Sequence, residues 1–82
     1  MRVLLDVNIL VRANENSDGL ARKLLLQLLS GRHVILTSTE ILMELVRVLR
    51  YPRMQALFGL TEEQIYEYVQ FLKGICQIVP LT

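Results

Sequence analysis

Residues 3–11 read Val-Leu-Leu-Asp-Val-Asn-Ile-Leu-Val, an apolar run that an acid interrupts at position 6 and an amide at position 8. A short apolar run without alternation is typical of a strand that is covered on both faces, as in a parallel sheet. The segment from Arg2 to Asp6 therefore predicts a first strand that ends in a carboxylate. Ligands bind outside the carboxyl ends of parallel strands, so Asp6 stands where a site would form.

Strands and helices alternate along the rest of the chain. Residues 14–19 have turn composition, and Ser17 or Asp18 is predicted to cap a helix that ends at Gly31 in a left-handed conformation. The further predicted elements are a strand over 33–38, a helix from Thr39, a short helix over 53–58 that Gly59 ends, a helix capped by Thr61, and a strand over 76–79. This order predicts one α/β domain with a parallel sheet over residues 1–82.

Composition excludes several classes of protein. Of the 82 residues, 52% are apolar, which excludes a disordered tail, and the formal net charge of +1 does not indicate a nucleic-acid or membrane binder. The single cysteine, Cys76, excludes a disulfide framework and a cysteine-based zinc site, and it favours a reducing, cytoplasmic setting. No apolar stretch approaches the roughly 20 residues of a membrane span, so we expect no membrane partner.

Three acids and two polar residues are candidates for a site. Ser38 ends the second strand at the same edge as Asp6, and Glu40 and Glu44 follow at i and i+4 on one helix face. Carboxylates brought together repel one another unless one is protonated or a cation lies between them, and hard oxygen ligands suit Mg²⁺ or Mn²⁺. The alternative is that these acids complement helix dipoles, above all Glu40, and that Asn8 serves a turn or cap.

Two stretches resemble the PIN-domain family. Residues 3–11 look like its opening strand, in which an apolar run leads to Asp-x-Asn-x-Leu. Residues 35–45, Ile-Leu-Thr-Ser-Thr-Glu-Ile-Leu-Met-Glu-Leu, are similar to a stretch in the branch of the family found as toxins of toxin–antitoxin systems. The spacing of the two motifs and the Gly-Leu-Thr-Glu-Glu at 59–63 also fit. The resemblance implies a PIN-like three-layer fold, with helices on both faces of a parallel sheet that has about three strands here.

The resemblance also implies a function, that of a metal-dependent endoribonuclease. Asp6 and Glu44 would be catalytic residues and ligands of Mg²⁺ or Mn²⁺, Asn8 would orient the acid, and Ser38 would be a polar neighbour of the metal. Glu40 matches no family acid. The cation would activate water and stabilise charge on the phosphoryl oxygens. The partners implied are an RNA substrate and a cognate antitoxin protein.

The match is to the N-terminal part of the family pattern. Its remaining acids and last strands come from a later segment, with two Asp-bearing turns that residues 1–82 do not contain. A second hypothesis is therefore a non-catalytic fragment that acts through self-association or antitoxin binding. We expect the first strand to present an unpaired edge and the chain to form a homo-oligomer through it. A phosphatase with Asp-x-Asp chemistry is disfavoured, because Asn8 cannot transfer a proton.

Overall fold

The computed structural model describes residues 2–17 and 19–80. In these ranges the elements are β1 (Arg2–Leu4), α1 (Val7–Arg12), α2 (Leu20–Ser30), β2 (Val34–Thr37), α3 (Thr39–Leu49), α4 (Pro52–Phe58), α5 (Glu62–Ile75) and β3 (Cys76–Ile78). The strands form one parallel sheet in the order β1-β2-β3, so the predicted α/β class is confirmed. Among the described residues, no helix is both long enough and apolar enough to cross a membrane.

Burial alternates along the central strand of this sheet. Ile35 and Thr37 expose 3% and 1% of their surface, whereas Val34 exposes 42%. On β1, Leu4 points to the same side as Val34 and is 52% exposed. Parallel strands in the order β1-β2-β3 require two crossovers in one direction, and the right-handed rule for such crossovers places both sets of helices on the same face. In the described residues the other face lies open, which differs from the expectation of helices on both faces.

A short helix that the sequence analysis did not predict begins directly after β1. The strand ends at Leu4 instead of continuing to Asp6, and Asp6 is the N-cap residue of α1. Its Oδ1 accepts a hydrogen bond from the Ile9 N–H at 3.0 Å. Helix α1 buries Leu10 and Val11 and packs against α2 and α3.

Two of the predicted helix starts are confirmed. Ser38 caps α3, where its Oγ accepts a hydrogen bond from the Ile41 N–H at 3.1 Å. Thr61 and Gln64 form a reciprocal capping box at the start of α5. Side-chain oxygens thereby satisfy N–H groups that have no partner inside the helix. Gly59 ends α4 with a φ of 61°, the left-handed region that glycine enters without strain.

The ends of α2 differ from the prediction. Its N-cap is Gly19, which makes no side-chain capping bond, and Ser17 Oγ accepts a hydrogen bond from the Gly19 N–H instead. Asp18 lies outside the described residues. Gly31 follows the helix in an extended conformation, with φ −97° and ψ −173°, so the predicted left-handed end is wrong there. The chain therefore leaves α2 in an extended backbone conformation at Gly31.

Side-chain hydrogen bonds hold the C-terminal end of α1. The Tyr68 hydroxyl on α5 donates a hydrogen bond to the Leu10 carbonyl at 2.7 Å. Asn14, which is fully buried, donates to the Val11 carbonyl and accepts from the Asn16 N–H, both at 2.8 Å. The Arg22 guanidinium donates to the Ala13 carbonyl at 2.9 Å. Side chains thereby satisfy the Val11 and Ala13 carbonyls, and the Leu10 carbonyl accepts from Tyr68 in addition to the Ala13 N–H.

We predict that Tyr68→Phe lowers the free energy of unfolding by about 1 kcal/mol at pH 7, because a buried hydrogen bond is lost. Burial raises the pKa of the Tyr68 hydroxyl above its ordinary value. The unfolded tyrosine ionises near pH 10 while the native one stays protonated, so this contribution is complete below about pH 10 and is lost above it. The gap between wild type and Tyr68→Phe in urea unfolding should therefore narrow as the pH rises past 10.

Tyr66→Phe is the matched control, because Tyr66 lies on the same helix and is 65% exposed. Its effect on stability should stay within about 0.5 kcal/mol. Equal stabilities of wild type and Tyr68→Phe at pH 7 would contradict the proposed importance of this bond.

Candidate functional site

The carboxyl ends of β1 and β2 lie side by side. Leu4 pairs with Leu36 in the parallel register. Asp6 and Ser38 lie two residues after this pair in their respective segments. Each of these two residues is the N-cap of the helix that follows. Two helix N-termini, in each of which a side-chain cap accepts from one N–H, therefore begin at neighbouring positions of one sheet edge. Such an edge favours negatively charged groups.

Asp6 is exposed at this edge and has an observed structural role. Only its Oδ1 is engaged in capping, and Oδ2 makes no hydrogen bond to the described residues. The carboxylate can therefore keep its capping bond while its second oxygen binds another group.

Ser38 and Asn8, the two predicted supporting residues, differ in their surroundings. Ser38 is fully buried, and its hydroxyl fixes the start of α3. Asn8 lies in the first turn of α1 with an exposed side chain. Within the described ranges its side chain makes no hydrogen bond to Asp6, and the Ile9 N–H orients that carboxylate instead.

Glu44 lies on α3 and pairs with a residue of its own helix. Both of its carboxylate oxygens accept hydrogen bonds from Arg47 Nη2, at 2.6 and 2.5 Å, and its side chain is 38% exposed. The Glu44 carboxylate raises the pKa of the Arg47 guanidinium by hydrogen bonding and by charge. The helix that carries Glu44 packs against α1, so the two acids belong to neighbouring helices. Glu44 must leave Arg47 before it can bind a cation.

The donor atoms of this region suit a hard divalent cation in type. Within residues 2–17 and 19–80, no group of three His, Cys, Asp or Glu side chains is placed to hold a metal ion. Mg²⁺ in phosphate-processing sites is usually held by one or two carboxylates, with water and substrate phosphates completing its octahedron. Two carboxylates such as those of Asp6 and Glu44 are thus suitable in type and sufficient in number for such a cation.

Thr37 is a further polar residue of this edge, and the sequence does not indicate it as a site residue. It precedes Ser38, is 1% exposed, and its Oγ1 has no hydrogen-bond partner among the described residues. Buried hydroxyls are nearly always paired with protein or with ordered water. Threonine is common in strands, so only the burial pattern reveals this hydroxyl as unusual.

We predict opposite effects for two adjacent substitutions. Ser38→Ala removes the cap of α3 and should lower the free energy of unfolding by about 1 kcal/mol. Thr37→Val replaces an unpaired hydroxyl by a methyl group of similar size and should leave stability unchanged or raise it by up to about 1 kcal/mol. Urea unfolding measures both. A loss in Thr37→Val as large as that in Ser38→Ala would mean that the Thr37 hydroxyl has a partner.

Comparison of the chain with protein-family models, with curated proteins and with solved structures finds no match. The function of the chain therefore has to be inferred from its own residues and their geometry.

Proposed function

We propose that the chain is PIN-like and that its function is the hydrolysis of RNA phosphodiesters, as the toxin of a cytoplasmic toxin–antitoxin pair. The observation that supports this most is the position of Asp6. Its exposed carboxylate stands at the carboxyl edge of a parallel sheet, beside the start of a second helix. Open α/β sheets bind their ligands at this edge. The Asp-x-Asn of residues 6–8 and the Glu-Leu of residues 44–45 support the proposal further, because they resemble motifs of the PIN-domain family.

Asp6 and Glu44 would hold the Mg²⁺ or Mn²⁺ ion in this proposal. A bound divalent cation supplies electrostatic stabilisation of the charge on the phosphoryl oxygens and lowers the pKa of water. Asp6 keeps α1 capped through Oδ1 and offers Oδ2 as a ligand. To hold the cation, Glu44 would have to give up its ion pair with Arg47, and the Arg47 guanidinium would then be free to donate paired hydrogen bonds to a phosphate of the RNA.

The two supporting residues act through position. Ser38 fixes the first turn of α3. Glu44 lies on the same helix, about one and a half turns further along. Asn8 presents its amide on the exposed first turn of α1, next to Asp6 in the sequence. Ser38 would therefore position α3 from within the protein, and the exposed Asn8 amide would approach the substrate.

We predict that Asp6→Asn and Glu44→Gln each reduce Mn²⁺-dependent cleavage of a labelled RNA by about 100-fold, because each removes a charged ligand. Asparagine caps helices as well as aspartate does, so Asp6→Asn should keep the fold. Binding of Mn²⁺ in the absence of RNA gives a second readout and should weaken in both variants. Glu40→Gln is the control, because it removes a neighbouring acid that has no role in the proposal.

Unchanged cleavage and unchanged Mn²⁺ binding in both variants would remove Asp6 and Glu44 from the site. Arg47→Gln tests the exchange step separately. It frees Glu44 from its ion pair and should strengthen Mn²⁺ binding, by a factor of up to about five if the pair is an ordinary exposed one. A weaker Mn²⁺ affinity in Arg47→Gln would contradict the exchange.

A second candidate function is binding without catalysis, and two surfaces favour it. The outer edge of β1 has no strand beside it in the described sheet, which supports self-association. An apolar groove of about 660 Å³ lies between α1, α2 and α4, which supports the binding of an antitoxin protein. The residues that line it include Ile9, Arg12, Leu20, Leu24, Leu57 and Phe58.

We predict that the protein self-associates at micromolar concentration, because β1 offers unpaired backbone groups and an exposed leucine. Light scattering coupled to size exclusion, at several loading concentrations, should give a mass above 9.5 kDa that rises with concentration. A clean monomer over the whole range would contradict self-association and would leave the nuclease proposal standing.

A further inference from the structure

The β1 strand carries a charge pattern that is complementary to itself. Arg2, Leu4 and Asp6 recur at the two-residue spacing at which strand side chains share a face, and Asp6 still has extended backbone angles. All three side chains are exposed, Leu4 to 52%. The segment therefore presents a positive, an apolar and a negative side chain in order along one free edge.

We infer that two copies of this chain pair antiparallel through β1, with Leu4 opposite Leu4 of the second copy. In this register Arg2 lies opposite Asp6 of the second copy, and the reverse pair forms by symmetry. The inference rests on the proposed self-association for its partner and adds the register and the residues that specify it. The resulting interface is a closed two-fold one, in which each copy uses the same patch.

The charges select this register over its neighbours. A shift that places Val3 opposite Val3 sets Arg2 against Leu4 and leaves Asp6 beyond the pairing. A parallel arrangement in register sets Arg2 against Arg2, and like charges directly across a strand pair are destabilising. Only the Leu4-centred antiparallel register pairs both charges, and it also brings the two exposed leucines together. The apolar residues Val3, Leu4 and Leu5 alone would specify the register weakly. The charges of Arg2 and Asp6 therefore fix it.

The pairing is compatible with the contacts that Asp6 already makes. Its Oδ1 stays with the Ile9 N–H, and Oδ2 accepts from the arginine of the second copy. Leu4 and Val34 belong to the open sheet face, so the paired assembly continues that face across six strands.

Disulfide cross-linking tests the register. In a Cys76→Ala background, which removes the native thiol, Leu4→Cys should form an intermolecular disulfide under mild oxidation. Facing residues of antiparallel strands have Cα atoms about 4.5–5.5 Å apart, within the range of a disulfide. Val34→Cys is the matched control, because Val34 lies on the same face and is 42% exposed. It lies one strand inward and level with Arg2 in each copy, so it is about 19 Å from its counterpart and should not cross-link.

A charge variant tests the ion pairs. Arg2→Glu places an acid opposite Asp6 and should raise the dissociation constant of the wild-type assembly about tenfold, measured by sedimentation equilibrium. Arg2→Lys keeps the charge and should leave the constant within about twofold.

Three results would overturn the inference, and they differ in what they leave intact. Equal cross-linking at positions 4 and 34, or none at position 4 in a chain that associates, contradicts the register but not self-association. Association of Arg2→Glu as tight as that of the wild type contradicts the ion pairs. A monomeric wild type removes the inference together with the proposed self-association.

Discussion

Helix α1 is held in place by hydrogen bonds at its two ends. It has six residues, and isolated helices shorter than about 12 residues are marginal in water. Asp6 satisfies an N–H at its start, and Tyr68 satisfies a carbonyl at its end from 58 residues away in the sequence. The position of Asp6 at the sheet edge therefore depends on the docking of α5. The candidate site and the far end of the chain form one cooperative structure.

The sequence predicted the elements whose signals are local. The helix that begins at Thr39 and the capping box at Thr61 are both confirmed, whereas Ser38, which was expected to end a strand, is the cap of the first of these helices. Helix α1 has fewer than two turns, so it shows no helical periodicity that could be recognised. Its strongest signal is Asp6, and an aspartate after a strand has the same appearance whether it caps a helix or binds a ligand. In the structure it caps the helix, and ligand binding remains a second role to be tested.

The covered face of the sheet could not be predicted from the residues. Leu4, Val34 and Leu36 on the open side are as apolar as Val3 and Ile35 on the covered side, so the strands show no alternation. Which face is buried follows from the direction and handedness of the crossovers. A run that is apolar throughout therefore predicts a strand covered on both faces, whereas this sheet is covered on one. The burial of the Thr37 hydroxyl likewise depends on the fold, so the sequence alone does not reveal it.

The partner of Glu44 illustrates a limit of spacing arguments. Spacing placed the residue on the right helix, but Arg47, three residues further on, is within reach whatever the fold does. An exposed ion pair of this kind contributes about 0.2–1 kcal/mol, which the attraction of two carboxylates for a divalent cation can exceed. The local pair is therefore compatible with a later role of Glu44 as a ligand.

Asp6 is where the two proposed functions meet. One of its oxygens caps α1, so one remains for either a cation or the arginine of a second copy. Both partners are positive, and both would approach the same oxygen at the same sheet edge. An assembly paired through β1 would thus occupy the first ligand of the cation site, and a bound cation would weaken the pairing. If both proposals hold, the Asp6 carboxylate binds either the arginine of a second copy or the cation needed for RNA cleavage. Its capping bond to α1 is present in both states.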